Sequence, residues 1–159
     1  MGILLTDTYQ YYLDTSDAET AVYTRVTEDS TFNPAVDQTT YSPSYKDRTV
    51  QPEYVTGTKV TVEFDIDVMG DQTLQDWMRT HEWDINVPTK LVRVDTSKGT
   101  KGARPAIMAA FAMNENPIDG AAGEALKATG SLKMTDAGWT KGTFNEDSCS
   151  FTADAADGE

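Results

Sequence analysis

Three carboxylates occupy alternate positions in one short stretch, and oxygen ligands in such a series are what Ca²⁺ prefers in proteins. An EF-hand loop that began at Glu63, with Asp65 and Asp67 following, would need Gly at its sixth position and a bidentate Glu at its twelfth. This chain has Val68 and Leu74 there. Paired carboxylates for acid–base catalysis need different environments, whereas these three share one face of an extended chain. We therefore interpret them as surface charge.

Other candidates for chemistry are few. The single histidine, His81, falls at the end of a predicted helix, and the single cysteine, Cys149, has no CxxC partner. The stretch Ser97–Gly102 is basic and contains Gly, but it lacks the order of residues of a phosphate-binding P-loop and resembles a solvated turn. No nucleophile-elbow, zinc-protease or dinucleotide-binding motif occurs. We expect no enzymatic activity, no cofactor and no metal ion.

The charge of the chain limits the partners that it can attract. Its 159 residues carry 13 Lys and Arg against 26 Asp and Glu, a formal net charge of -13. Such a chain repels nucleic acid and anionic membrane surfaces, and its apolar runs are too short to cross a bilayer. One cysteine and no Asn-x-Ser/Thr acceptor fit synthesis in a reducing cytoplasm. The length favours a single domain over residues 1–159.

The carboxylates belong to the most regular element of the sequence, Thr58–Val68. Apolar and polar residues alternate strictly over this stretch, so we predict one long antiparallel strand with a dry face and a wet face. Val60, Val62, Phe64, Ile66 and Val68 form the dry face.

Further strands are predicted on either side of this one, together with one helix that begins after an Asp71 cap and ends near Trp83. Leu74, Trp77 and Met78 form the apolar stripe of that helix. The remaining predicted strands are Thr20–Thr27, Thr89–Thr96, Arg104–Met113, Glu124–Met134 and Cys149–Ala153, with a hairpin at Thr135–Gly142. The fold class is therefore mainly β, an antiparallel β-sandwich or barrel with one flanking α-helix.

Three segments lack this regularity. Residues 1–18 are predicted as an N-terminal strand or arm, and residues 154–159 as a flexible acidic tail. Residues 28–57 are rich in Pro and Tyr and show no sustained period, which predicts either a long loop that a partner orders or a self-packed surface loop.

The sequence also resembles the tail tube (major tail) proteins of long-tailed bacteriophages. The resemblance spans about Thr20–Asp154 and is carried mainly by YKDR at Tyr45–Arg48, QPEYVTG at Gln51–Gly57 and EFDID at Glu63–Asp67. It implies a β-sandwich with one helix that self-assembles into stacked hexameric rings, through which DNA is ejected into the host. The implied location is the virion tail, after synthesis in the host cytoplasm.

The resemblance also implies roles for residues and partners. The loop 28–57 would bridge subunits and rings, through Tyr41, Tyr45, Lys46, Asp47, Arg48 and Tyr54. The implied partners are further copies of this chain, the tape measure, tail terminator and distal tail proteins, and double-stranded DNA in passage, with no membrane.

One further implication concerns the wet face of the predicted strand. If Glu63, Asp65 and Asp67 face the lumen of the tube, their charge would keep DNA from sticking to the wall. The other interpretation is that this face looks outward to water.

Two other functions remain open at this point. The first is a type VI secretion-like tube protein, which shares the fold family. The second is a monomeric β-sandwich module in which Tyr41, Tyr45 and Tyr54 stack on a ligand.

Overall fold

The chain folds around one antiparallel sheet with a helix against it. The computed structural model describes residues 3–4, 8–16, 20–27, 29–68, 73–114, 118–120, 122–136 and 138–154, with only the backbone described at 29–31 and 119. These residues form ten strands and one helix, and the predicted fold class is confirmed. The elements are β1 Tyr9–Asp14, β2 Tyr23–Arg25, β3 Asp29–Tyr41, β4 Tyr54–Asp67, α1 Thr73–Thr80, β5 Val87–Asp95, β6 Arg104–Asn114, β7 Ile118–Asp119, β8 Lys127–Met134, β9 Thr140–Asn145 and β10 Ser150–Ala153.

The sheet runs in the order β2-β1-β5-β6-β8-β4-β3 and does not close on itself. It divides at β6, which pairs with β5 along one edge. Along the other edge, Arg104–Met108 of β6 pair with β9, whereas Phe111–Asn114 pair with β8. The predicted hairpin at Thr135–Gly142 is therefore wrong, because β8 and β9 both pair with β6 and are joined by a connection between them.

The sheet buries side chains on both faces. Adjacent strand residues point to opposite faces, and Leu91 and Val92 of β5 are both fully buried. The larger cluster lies on the face that α1 covers and includes Leu13, Phe64, Met78, Phe111 and Leu132. The smaller cluster contains Tyr12, Tyr23, Val92, Val94, Ala106 and Phe144.

Two tyrosines of the smaller cluster make the protein less stable at alkaline pH. Burial raises the pKa of Tyr12 and of Tyr23 above the ordinary value of 10.0, with smaller contributions from Cys149 and Glu146 to the first and from Asp14 to the second. A folded-state pKa above the unfolded one gives stability that is complete below pH 10.0 and is lost as the pH rises through the folded pKa.

We expect the free energy of unfolding, measured by urea titration, to fall as the pH rises from 10 to 11, by up to roughly 1.4 kcal/mol per pH unit for each tyrosine. The variant Tyr12→Phe/Tyr23→Phe should lose most of this slope, whereas Tyr54→Phe, at an exposed position, should keep it. An equal slope in all three proteins would contradict the assignment.

The helix has the predicted apolar stripe, with Leu74, Trp77 and Met78 buried. It ends at Thr80 and not near Trp83, because the chain turns there: the His81 N–H still donates to the Trp77 carbonyl, but the Glu82 N–H donates to the Arg79 carbonyl. The predicted Asp71 cap lies outside the described residues.

The long predicted strand is confirmed as part of β4. Val62, Phe64 and Ile66 are buried, whereas Glu63 between them is exposed, so one face of the strand packs on the core and the other does not. The strand also extends towards the N-terminus as far as Tyr54.

The interpretation of residues 28–57 as a loop is wrong for most of its length. Asp29–Tyr41 is a strand of 13 residues paired with β4, and among the described residues of this range only 42–53 lie outside the two strands. Its sequence shows no alternation because, from Asn33 onward, every residue of β3 is exposed and neither face selects for apolar side chains.

The N-terminal segment also differs from a terminal arm. Tyr9–Asp14 is a strand inside the sheet, between β2 and β5, and Tyr12 and Leu13 are buried on its two faces. Apart from Asp154, the predicted acidic tail 154–159 lies outside the described residues.

Candidate assembly surface

The β3–β4 hairpin projects from the body of the protein. Pairing between β4 and β8 begins at Thr61, so β4 pairs only with β3 from Tyr54 to Val60. At roughly 3.4 Å per residue these seven residues span about 24 Å. We call residues 36–60 the arm and residues 42–53, which connect its strands, the tip.

Contacts within the arm hold the ribbon together. Thr39 pairs with Gly57 and Thr40 with Val55, so Thr56 is an extra residue in a β-bulge, and its hydroxyl donates to the Thr39 carbonyl at 3.1 Å. Bulges of this kind increase the local twist of a ribbon. At the outer end, the rings of Tyr41 and Tyr54 stack with centroids 6.5 Å apart.

One glutamine side chain organises the tip. The Tyr45 N–H donates to Gln51 Oε1 at 2.6 Å, and Gln51 Nε2 donates to the carbonyls of Tyr45 at 3.1 Å and of Arg48 at 2.7 Å. The Arg48 guanidinium lies over the Tyr45 ring at 5.3 Å from its centroid. The tip is thus folded within one chain, although nearly all of its side chains are exposed.

The structure brings the residues predicted for the inter-subunit loop into one place. Tyr41 and Tyr54 face each other at the base of the tip, and Tyr45, Lys46, Asp47 and Arg48 form its first turn. Their contact with other subunits stays a prediction. Gln51 was missed by sequence reasoning, since no periodicity marks a side chain that bonds to the backbone of its own loop.

We predict that Gln51→Ala impairs assembly but not folding. The change removes three hydrogen bonds from an exposed tip, so the melting temperature should stay within about 2 °C while the tip loses its fixed shape. The concentration required for self-assembly, measured by light scattering, should rise several-fold. Gln38→Ala, at an exposed position on the same arm, is the matched control and should leave that concentration unchanged.

The carboxylates predicted to face a lumen share their face with lysines. Direct partners on neighbouring strands point to the same side of a sheet, and β8 places Lys127 opposite Asp67, Ser131 opposite Glu63 and Lys133 opposite Thr61. Asp67 Oδ1 lies 4.0 Å from Lys127 Nζ. We call this side of β3, β4 and β8 the polar face.

The polar face is nearly balanced in charge. Among its described side chains it carries four acids, Asp37, Glu63, Asp65 and Asp67, and three lysines, Lys59, Lys127 and Lys133, a formal charge of -1. The sequence-based prediction considered the acids of β4 without the lysines that β8 places beside them. Whether this face lines a lumen stays a prediction.

A second exposed feature is the turn at residues 81–86, between α1 and β5. Trp83 and Ile85 are 68% and 73% exposed, and Trp83 and Asn86 have φ of 69° and 58°. A bulky side chain in the left-handed region costs about 1–3 kcal/mol, so the rest of the structure must hold this turn in place.

Several hydrogen bonds hold the 81–86 turn in place. His81 Nδ1 lies 3.1 Å from Asp84 Oδ2, the Asp84 N–H donates to the His81 carbonyl, and the Asn86 N–H donates to Asn114 Oδ1 at 3.0 Å. His81 also contacts the Trp77 ring edge-on at 5.3 Å.

The turn borders a groove of about 980 Å³. The groove is lined mainly by the turn, the first residues of β5 and the middle of β6, including His81, Asp84, Ile85, Pro88 and Phe111. Sequence reasoning placed Trp83 at a helix end and so missed this surface.

The described residues offer no sign of two other kinds of site. They contain no group of three or more His, Cys, Asp and Glu that could hold a metal ion. Nor does the helix found among them have the length and apolar character required to span a membrane.

The fold is shared with proteins of known structure. No protein-family model and no curated protein sequence matches the chain. The SPP1 tail tube, determined by solid-state NMR and cryo-EM, matches with a TM-score of 0.71 over 90% of this chain and 81% of that one, at 13% identity. The tail of an empty GTA particle, refined with helical and C6 symmetry, matches with a TM-score of 0.64 over 95% of this chain and 100% of that one, at 10% identity. The chain therefore has the fold of tail tube subunits.

Proposed function

We propose that this protein is the repeating subunit of a phage tail tube, in which hexameric rings stack into a conduit for DNA. The observation that carries the proposal is the match of 90% of the chain to the SPP1 tail tube subunit at a TM-score of 0.71. The role is structural, and the protein resides in the virion tail. Its partners would be other copies of itself and the tape measure, tail terminator and distal tail proteins.

The open sheet supports assembly through neighbouring subunits. In the chain alone, β3 has 13 residues and pairs with β4 along one edge only. A long, unpaired edge strand templates pairing with other chains, so natural proteins cover or pair such edges. Joining the sheets of adjacent subunits would pair this edge, and the C6 symmetry of the GTA tail supports six subunits per ring.

The polar face supports a wall to which DNA does not adhere. Lys59, Lys127 and Lys133 would each gain affinity for phosphate through counterion release if they stood alone. Glu63, Asp65 and Asp67 lie among them and offset that attraction. We therefore assign these three acids to the lumen, where their role is to neutralise the lysines of the wall.

Electron microscopy of concentrated protein tests the proposal. Negative staining should show tubes, and averaged end views should show sixfold rings. Size-exclusion chromatography with light scattering should show a concentration-dependent shift from subunit to polymer. A protein that stays monomeric at millimolar concentration would overturn the proposal and favour the monomeric binding module.

A further inference from the structure

We propose that the 81–86 turn is a pH-sensitive element, which is most ordered when His81 carries a positive charge. The inference concerns the free subunit and does not depend on assembly into a tube. It is carried by the contacts of His81, the only histidine of the chain.

The backbone of this turn is held in an unfavourable conformation. Trp83 and Asn86 both have positive φ, 69° and 58°, where any residue with a Cβ is disfavoured. The side chains of Trp83 and Ile85 are exposed, so their burial does not compensate for this cost. The order of the turn therefore depends on its hydrogen bonds.

Two contacts between His81 and Asp84 close the turn. The Asp84 N–H donates to the His81 carbonyl at 3.2 Å, and His81 Nδ1 lies 3.1 Å from Asp84 Oδ2. The backbone contact contains no group that titrates, whereas the side-chain contact changes when the imidazole gains or loses a proton. The side-chain contact is therefore the place at which pH acts on the turn.

Protonation decides whether Nδ1 of the imidazole is a donor. A neutral imidazole carries one proton on one of its two nitrogens, so Nδ1 can donate to a carboxylate in only one of the two tautomers. The imidazolium ion carries a proton on both nitrogens, so Nδ1 always donates. Its bond to Asp84 then joins opposite charges, and such hydrogen bonds are roughly twice as strong as neutral ones.

The surroundings of His81 hold its ring in place for this bond. The His81 side chain is only 19% exposed, whereas that of Asp84 is 57% exposed. The imidazole contacts the ring of Trp77, a buried residue of α1, edge-on with centroids 5.3 Å apart. The imidazole is therefore packed against the core on one side and faces a solvated carboxylate on the other.

The charged groups around His81 attract a positive charge. Asp84, Asp14 of β1 and Lys90 of β5 line the same groove as His81, and β6 adds only uncharged side chains to the described lining. Two acids thus face one base, so an imidazolium ion meets a net attraction. The other charged side chains of α1 and of the turn line a separate pocket; they are Asp76, Arg79 and Glu82.

Amide hydrogen exchange of the free subunit tests the proposal. Histidine in general takes up its proton near pH 6.5, so rates are compared at about pH 5.5 and about pH 8, after correction for the intrinsic rates. The Asp84 N–H should exchange about threefold more slowly at the lower pH, as expected for an ion pair with one exposed partner. The Ala103 N–H is the control, because it donates to the Thr100 carbonyl in a turn that contains no histidine.

Two variants assign the effect to the side-chain contact. His81→Gln keeps a side chain that can donate but has no charge at either pH, and Asp84→Asn removes the charged acceptor. Both variants should lose the pH dependence of exchange at residue 84 and keep the parent rate at Ala103. The NMR signals of the single imidazole report its protonation directly.

Three outcomes would overturn the proposal. In the first, His81 remains uncharged at about pH 5.5. In the second, the His81 signals titrate but exchange at residue 84 does not change beyond that at Ala103. In the third, either variant keeps the pH dependence of the parent. None of these outcomes bears on the tube function, which electron microscopy tests separately.

Discussion

Replacing the tip, residues 42–53, by Asn-Gly yields a folded subunit that no longer forms tubes. Tyr41 and Tyr54 are direct partners across the ribbon, so a two-residue type I′ turn can join them without a change of register. The tip contributes nothing to either apolar cluster. The free energy of unfolding should therefore be unchanged or raised by about 1 kcal/mol, because a shorter loop costs less entropy to close.

Assembly should respond far more strongly than stability. Losing an anchor worth at least about 2 kcal/mol per contact raises the critical concentration roughly thirtyfold, and in a tube every subunit loses it. Sedimentation of assembled material against concentration measures the change, and circular dichroism reports the fold.

Two full-length variants separate the effect of the length of the tip from the effect of its apolar side chains. Tyr45→Ser/Val50→Ser keeps the length and removes two exposed apolar side chains, so it should also fail to assemble. Ser44→Ala changes an exposed polar residue of the same tip and should assemble normally. Normal tubes from the shortened protein would show that the tip has no part in assembly.

The arm also marks where sequence reasoning succeeds and where it fails. The strand that contains Val62, Phe64 and Ile66 was predictable because burial of one face imposes a period of two. The same strand from Tyr54 to Lys59, and its partner β3 from Asn33 onward, are exposed. No burial constrains them, so their sequence carries no such signal, and backbone pairing with a neighbour alone makes them strands.

The pairing of distant strands was the other missing information. The stretch that contains Lys127 and Lys133 was predicted as a strand, yet nothing in its local sequence shows that it lies beside β4. Register between strands that are far apart in sequence depends on the whole fold. The acids and the lysines of the polar face could therefore both be found in the sequence, but the sequence did not show that they lie on the same face of the sheet.

That mixture makes neutralisation of the acids the most informative change to the wall. The variant Glu63→Gln/Asp65→Asn/Asp67→Asn keeps side-chain size and takes the polar face from -1 to +2. In the proposed ring of six this change is repeated six times. Each lysine that is no longer offset adds a phosphate contact, with a slope of about -0.9 in log K against log salt.

We expect tubes of this variant to form, to bind DNA that the parent tubes do not, and to release it as salt is raised. Particles that carry them should eject DNA at least about tenfold more slowly at low salt, by single-particle fluorescence. Folding should change little, because the Asp67–Lys127 pair is half exposed and such pairs contribute less than about 1 kcal/mol.

A charge-matched variant distinguishes the effect of charges on the polar face from the effect of the total charge of the chain. Asp76→Asn/Glu124→Gln/Asp147→Asn removes three exposed acids that are not on the polar face, and so raises the chain from -13 by the same three charges. It should leave DNA binding and ejection as in the parent. If both variants slow ejection equally, only the total charge matters. If neither does, the polar face does not meet the DNA, and the outward orientation of Glu63, Asp65 and Asp67 is the correct one.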